Sequence, residues 1–464
     1  MTGLVRDLAA LVDPRRVWGD VEDLVAYTND ATHRRELPAA VVAPESVDEV
    51  AAVLRYANGR GIPVTPRGAG TGLAGGAVPA PGGLVLDLKR LNRILEIDDR
   101  NLTATVECGV VTGDFQREVE ARGLFYPPDP QSLAVCTIGG NVATRAGGPR
   151  GVKYGTTKDY VLGLEAVLPD GSVISYGGKS VKMSAGYDLA RVFTGSEGTL
   201  GVITKVTLRL LVLPPCRRVM VAAFPELDSA AEAVSALIAR GAEPSMLEML
   251  DRIAVASLQR YLPLGLPPEL EAFLIIEVDG HPAKVEEDCA LVAEVCREYG
   301  VHEVRVARDA AEAERILQAR RALFPAAARA APNLVIEDAT VPRTQVPAMV
   351  RAIRRIAERH RVLISITGHI GDGNLHPGII MDRRFPESVR RAEQAMAEIA
   401  REALNLGGTL SGEHGVGLLK APFLEWEFGE AGVALMRRLK RAFDPHGIMN
   451  PGKILGGGMA GVRD

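Results

Sequence analysis

Between residues 66 and 76 the chain reads PRGAGTGLAGG, five glycines in eleven positions, which ends any helix or strand that enters it. Without Cβ atoms, successive backbone N–H groups can close on an anionic group, and a pyrophosphate is the guest such a loop suits. Taken alone, the same residues also read as a mobile surface loop. The glycines at 68, 70 and 72 do not make the GxGxxG that opens a helix, and the AVPAPGGLVLDL that follows is too rich in Pro and Gly to be one. No Gly-Lys-Ser/Thr follows either, so neither a nicotinamide turn nor a nucleotide-triphosphate loop is indicated.

The surroundings give the loop its setting. PAAVVAPE predicts a strand and SVDEVAAVLRYANGR a helix, with Ser46 and Glu49 as a capping box; IPVTP then makes a β-α-β opening. From Arg67 to about Gly201, short β-rich pieces such as LVLDL, LTATVECGV and SVISY alternate with glycine clusters, and VITKVTLRLLVLPP closes the region near residue 214. Beyond it, VMVAAF leads into DSAAEAVSALIARG, and AFLIIEVDG into KVEEDCALVAEVCREYG. This alternation predicts a separate α+β domain on one antiparallel sheet. A chain of 464 residues exceeds the ~250–300 at which single cores stop growing. The expected domains are 1–215, 216–424 and a closing segment 425–464.

Composition excludes several classes. A net charge of −4 offers nothing to neutralise a phosphate backbone, so no nucleic acid partner is expected. No run of about 18 uncharged apolar residues exists, so no membrane span is expected. The start, MTGLVRDLAALVDPRRV, is broken by Arg6, Asp7 and Asp13 and reads as a short amphipathic helix rather than a signal peptide. Five scattered cysteines without a CxxC pair point away from a disulfide framework or an iron–sulfur site. A cytoplasmic location is expected, with any membrane association peripheral and through a partner.

Two of the eight histidines flank a strong turn signal in VLISITGHIGDGNLHPGII. If Gly371–Asn374 form the loop, His369 lies opposite His376 with Cβ atoms about 4.5–5.5 Å apart, a spacing that suits two imidazoles converging on one metal ion. Glu413, in SGEHGVG, can add an oxygen ligand. A His₂Glu set suits Zn²⁺, with Mn²⁺ and Fe²⁺ also open.

Four ordered motifs, PRGAGTGLAGG, PPDPQS, TIGGNVATRAGG and GSEGTLGVITKVTLRL, resemble the FAD-binding domain of the vanillyl-alcohol oxidase superfamily. GHIGDGNLH and SGEHGVG are similar to the metal motifs of its 2-hydroxy-acid branch, which holds glycolate oxidase catalytic subunits and D-lactate and D-2-hydroxyglutarate dehydrogenases. The resemblance runs from about Val41 to Lys453. It implies a two-domain α+β fold of that type, with an α+β substrate or cap domain.

The resemblance also assigns residues. Arg67, Gly68, Ala69, Gly70, Thr71 and Gly72 are expected to cradle the FAD pyrophosphate. Pro130, Ser132, Thr137, Gly139, Gly140, Asn141 and Ala143 are expected to line the flavin and ribityl chain. Glu197, Gly198, Gly201 and Ile203 are assigned to the adenine end, and Asn450 to the flavin ring. The glycine loop carries no His or Cys, so non-covalent FAD is expected. His369, His376 and Glu413 become ligands of a divalent metal and His414 the general base. Arg320 grips the substrate carboxylate, with Arg321 beside it and Arg343 a weaker candidate.

These assignments imply oxidation of a small 2-hydroxy acid, the metal acidifying its hydroxyl while His414 takes the proton. Gly378, two residues after His376, stands where the D-2-hydroxyglutarate type carries a polar Asn, which favours glycolate or D-lactate. With no cluster of its own, the chain is expected to pass electrons to O₂, a quinone, a soluble acceptor, or a separate iron–sulfur or FAD-binding subunit, and to be oligomeric. Alternative readings are D-2-hydroxyglutarate oxidation, a non-catalytic FAD-binding subunit of a glycolate oxidase complex, and non-redox flavin chemistry. The intact histidine and EH motifs argue against the non-catalytic subunit, and nothing in the sequence points to the lipid-accommodating channel that the non-redox chemistry would require.

Overall fold

Ser46 starts the first long helix as its sequence implies. Its hydroxyl accepts the Glu49 N–H at 3.2 Å ahead of Val47–Asn58. The reciprocal arm of a capping box does not form. The Glu49 carboxylate instead accepts the Glu45 N–H at 2.7 Å and two guanidinium nitrogens of Arg16 at 2.6 and 2.7 Å. Val50, Val53, Leu54 and Ala57 on this helix are buried against the strands beneath.

The computed structural model describes residues 3–261, 269–330 and 332–456. Of the expected segments 1–215, 216–424 and 425–464, residues 1–2, 262–268, 331 and 457–464 lie outside this description. The chain forms two units, one of Met1–Gly147, Thr156–Leu213 and Glu413–Asp464, the other of Gly148–Gly155 and Pro214–Gly412.

In the first unit the β-α-β opening carries an insertion. Strands Ala40–Val42 and Val64–Arg67 are not neighbours; Leu84–Asp87 lies between them and pairs parallel with both, while Val17–Trp18 adds an antiparallel edge. The β-rich stretch makes a five-stranded antiparallel sheet in the order Ile94–Asp98, Thr103–Glu107, Val202–Arg209, Val161–Val167, Val173–Gly177.

The second unit is built on one eight-stranded antiparallel sheet, as expected for an α+β domain. Its main order is Glu303–Val306, Cys216–Phe224, Ala272–Gly280, Pro244–Asp251, Leu363–His369, Asn374–Met381 and Asn333–Ile336, with Ala339–Thr340 also pairing Asn374–Met381. Both faces are covered. Leu227–Ala239, Pro282–Glu298, Val346–His360 and Pro386–Asn405 pack against one, burying Leu247, Met249, Leu274, Ile276, Ile364 and Ile366. Against the other lie Met246, Leu250, Phe273 and Ile275 with Ile316 and Leu317 of helix Ala310–Arg321. Such strands lose the one-sided polar alternation that makes half-buried strands legible. Among the described residues no helix is long and apolar enough to cross a membrane, and all five cysteines are free.

Asp251 ties the middle of this sheet together. Its Oδ1 accepts the Ala254 N–H at 2.8 Å and the Ser365 hydroxyl at 2.9 Å, and its Oδ2 accepts the Ile366 N–H at 2.7 Å. Burial pushes its carboxyl up to about 6 against these three hydrogen bonds. That lies above the unfolded value of about 3.9, so the folded chain holds a proton the unfolded chain releases, and this group's contribution to stability falls as pH rises from about 4 to about 6. Asp251→Asn removes the titration. Relative to the parent protein, the variant should gain about 1 kcal/mol between pH 5 and pH 7, whatever its constant cost. Thermal midpoints of both proteins at the two pH values check this; an unchanged difference excludes it.

Candidate functional site

The glycine loop leaves strand Val64–Arg67 and folds back on its own unit. A Cβ at Gly68 would fall 2.3 Å from Thr137 Oγ1, and one at Gly70, whose φ is +72°, would fall 2.1 Å from the Arg67 guanidinium. Arg67 is buried and donates to the Ala77 carbonyl at 3.1 Å, so its side chain braces the loop. Thr137 caps helix Ile138–Thr144 by accepting the Gly140 N–H at 3.3 Å. Inside that helix Asn141 donates to Thr112 Oγ1 at 2.7 Å, the Ala143 carbonyl accepts the Glu197 N–H at 2.9 Å, and Gly139 N–H reaches the Cys108 carbonyl at 2.7 Å. Pro130 and Ser132 supply the carbonyls of the turn before it. Thus Arg67–Gly72 and Thr137–Ala143 meet through Gly68 and Thr137.

The C-terminal return closes this arrangement. Asn450 sits at φ +41° and is 1% exposed, and its Nδ2 donates to the carbonyls of Gly76 at 2.9 Å and Glu197 at 2.7 Å. Its Oδ1 is buried and accepts from no donor among the described residues. A buried amide oxygen in that state favours a ligand bearing an N–H or O–H, which FAD provides. Lys453, three residues on, is also buried; burial lowers its ammonium to about 8 while Asp30 and Glu197 pull it back up.

Glu197 has a task its motif did not suggest. Its carboxylate oxygens accept the N–H groups of Val416 at 2.7 Å and Gly417 at 2.8 Å, and burial pushes it up to about 7. Gly198 backs onto Pro66, Gly201 lies against the Val167 carbonyl, and Ile203 is a core residue of strand Val202–Arg209.

In the second unit the histidines do converge, but not as directly opposed residues. Thr367 pairs with His376 and His369 with Asn374, so the loop is Ile370–Gly373 and the register is two residues from the expected one. A shift of two keeps the face, because side chains alternate with period two. His369 and His376 are therefore diagonal neighbours, with ring centroids 4.9 Å apart and planes at 87°. Gly378 lies on the same face, two residues beyond His376.

The residue that sequence reading missed is Glu248. Strand Pro244–Asp251 is buried throughout, and Met249 pairs with Gly368, so the next step brings Glu248 beside His369. Glu248 Oε1 lies 2.5 Å from His369 Nδ1, and its Oε2 accepts from Arg320 Nε. Burial alone would raise this carboxyl; Arg320 and His369 outweigh it and hold Glu248 below the usual range. Arg320 is buried, whereas Arg321 pairs with Glu314 at 2.9 Å on the surface and exposed Arg343 donates to the Val152 carbonyl at 3.4 Å.

A second carboxylate faces the other imidazole. Asp338 Oδ1 lies 3.9 Å from His376 Nδ1 and accepts from Asn374 Nδ2 at 2.5 Å, and its Oδ2 accepts the Ser411 hydroxyl at 2.7 Å. A Cβ on Gly412 would fall 2.2 Å from Thr340 Oγ1. Ser411 and Gly412 are thus fixed beside the histidine hairpin. In the first unit, the Glu413 carboxylate lies over Gly147, where a Cβ would meet it at 2.4 Å, and His414 Nε2 stands 3.9 Å from Glu413 Oε1. Two buried imidazoles on one face fit a divalent metal, and the Glu248 contact at His369 Nδ1 leaves Nε2 of that ring as its ligand atom.

A family model of the C-terminal domain of FAD linked oxidases matches residues 213–454, and one of an FAD binding domain matches residues 38–177. The chain is 46% identical over 431 residues to the glycolate oxidase subunit GlcD of Bacillus subtilis, covering 93% of this chain and 92% of that protein. It is 35% identical over 453 residues to a D-lactate dehydrogenase of Anaerostipes hadrus, covering 96% and 95%. Among solved structures, p-cresol methylhydroxylase with substrate bound shares the fold, with a TM-score of 0.82 at 19% identity over 97% of this chain and 96% of that one. The chain belongs to the FAD-linked oxidase family and is an FAD-dependent oxidoreductase.

Proposed function

We propose that this protein oxidises a small D-2-hydroxy acid, glycolate or D-lactate, to the 2-oxo acid, with FAD held non-covalently. The observation that carries the reading is the pair of buried imidazoles, 4.9 Å apart, on the sheet face that also holds Arg320. It is supported by relatives whose names are glycolate oxidase subunit and D-lactate dehydrogenase.

FAD, when bound, supplies a two-electron acceptor, and a divalent cation, Zn²⁺ first and Mn²⁺ or Fe²⁺ next, supplies a Lewis acid. His369, His376 and Glu413 are the residues to hold that cation. The Arg67–Gly72 backbone, Thr137–Ala143 and Asn450 are those to hold FAD. Glu248 takes Arg320 Nε, and no other hydrogen bond from that guanidinium forms among the described residues, leaving its terminal nitrogens for the substrate carboxylate. His414 takes the 2-hydroxyl proton on a ring nitrogen, the general-base role imidazole most often fills. At Gly378 a second substrate carboxylate finds no side chain to bond, which favours glycolate or D-lactate over D-2-hydroxyglutarate. Because GlcD is named as a subunit, electrons leave in this reading through a separate iron–sulfur or FAD-binding subunit.

Anaerobic flavin bleaching with glycolate, D-lactate, L-lactate and D-2-hydroxyglutarate tests the substrate: glycolate or D-lactate should bleach fastest, and no bleaching by any of them refutes the proposal. His414→Ala should retain FAD and slow flavin reduction by at least ~10²-fold in stopped flow; near-normal reduction removes His414 as the base. Metal stripped by a chelator should end turnover while flavin absorbance persists, and full activity in metal-free protein would exclude the metal.

A further inference from the structure

We infer that Glu248 is a positioning residue that sets the spacing between the two points at which a 2-hydroxy acid is held, its carboxylate and its 2-hydroxyl. This rests on the reading above, in which Arg320 takes the carboxylate and the cation on His369 and His376 takes the hydroxyl.

One carboxylate serves both attachment points. Oε1 engages His369 at Nδ1 and Oε2 engages Arg320 at Nε. The first contact fixes the ring orientation and presents Nε2 as the ligand atom. The second holds the guanidinium by its inner nitrogen and leaves the outer fork in a fixed plane. Glu248, at 1% exposed, lies on a central strand of the sheet and cannot drift. The distance from ligand nitrogen to guanidinium fork is therefore fixed by one planar group.

Stability alone does not ask for a glutamate here. On the same strand and face, Met246 and Leu250 are buried apolar residues. Well-packed apolar side chains in place of a buried ion pair are often neutral or stabilising. Asp338 makes a useful contrast. It stands 3.9 Å from His376, beyond hydrogen-bond reach, and bonds Asn374 and Ser411, so it holds a neighbouring loop and no arginine.

Glu248→Gln keeps the shape and removes the charge. In FAD-loaded, metal-stripped protein, the Zn²⁺ dissociation constant, read by competition with a chromophoric chelator, should weaken 10–100-fold. KM for glycolate and D-lactate should rise at least ~10-fold with FAD absorbance retained, because the arginine fork loses its anchor. Wild-type values for either quantity overturn the coupling, since Glu248 would then serve one partner at most. If the Gln variant loses FAD, Glu248→Asp replaces it; the charge remains, the reach shortens, and both quantities should still worsen. His369→Ala separates this inference from the function itself. Zn²⁺ binding and turnover unchanged in His369→Ala sink the proposed function. Loss of Zn²⁺ in His369→Ala with wild-type constants in Glu248→Gln sinks the Glu248 inference alone.

Discussion

A carboxylate sealed inside a sheet covered on both faces must find its counter-charge within reach, and the Glu248–Arg320 pair meets that demand in the second unit. An unpaired charge at that depth would cost several kcal/mol or be neutralised. Pairing it fixes the strand carrying Glu248 to the helix carrying Arg320, and through His369 to the neighbouring strand. Glu248, Arg320 and His369 are thus held on three regular elements rather than on loops, the arrangement that holds a constellation of groups most tightly.

The first unit solves a different problem. Its glycine loop has few side chains with which to hold itself, so the anchoring comes from elsewhere in the chain. Arg67 braces the loop from its own strand, Thr137 stands against Gly68, and Asn450 grips the Gly76 carbonyl. Glu197 takes the backbone of Val416 and Gly417, so a residue of the GSEGTLG motif also anchors the C-terminal segment.

How far these features could be read in the sequence depends on what kind of signal each leaves. The strand–helix–strand opening was legible because Ser46, the apolar period and the glycines are local. The insertion of Leu84–Asp87 between the two strands was not, since pairing order is a long-range property. The histidine turn was placed two residues from its true register; the Gly-Asp-Gly-Asn signal marks a turn but does not say which residue starts it, and His369 turned out to pair with Asn374. Period-two alternation forgave that error by keeping both rings on one face. Glu248 was invisible because PSMLEMLD, with two Met and two Leu around its one Glu, favours helix by propensity and has no polar alternation. A lone charge inside an apolar run was its only trace. Arg320 stood out in its motif, but its bond to Glu248 joins residues 72 positions apart, beyond any motif.

The eight-stranded sheet also has two ends. An antiparallel ladder this wide offers unpaired backbone groups at its edges to any passing strand. The terminal strands are short, four residues each, Glu303–Val306 and Asn333–Ile336. The first of them sets Glu303 and Arg305 among its valines. Length and charge at that border make poor templates for intermolecular pairing, so the buried charge needed at the centre of the sheet has a counterpart at its margin, where charge guards against aggregation.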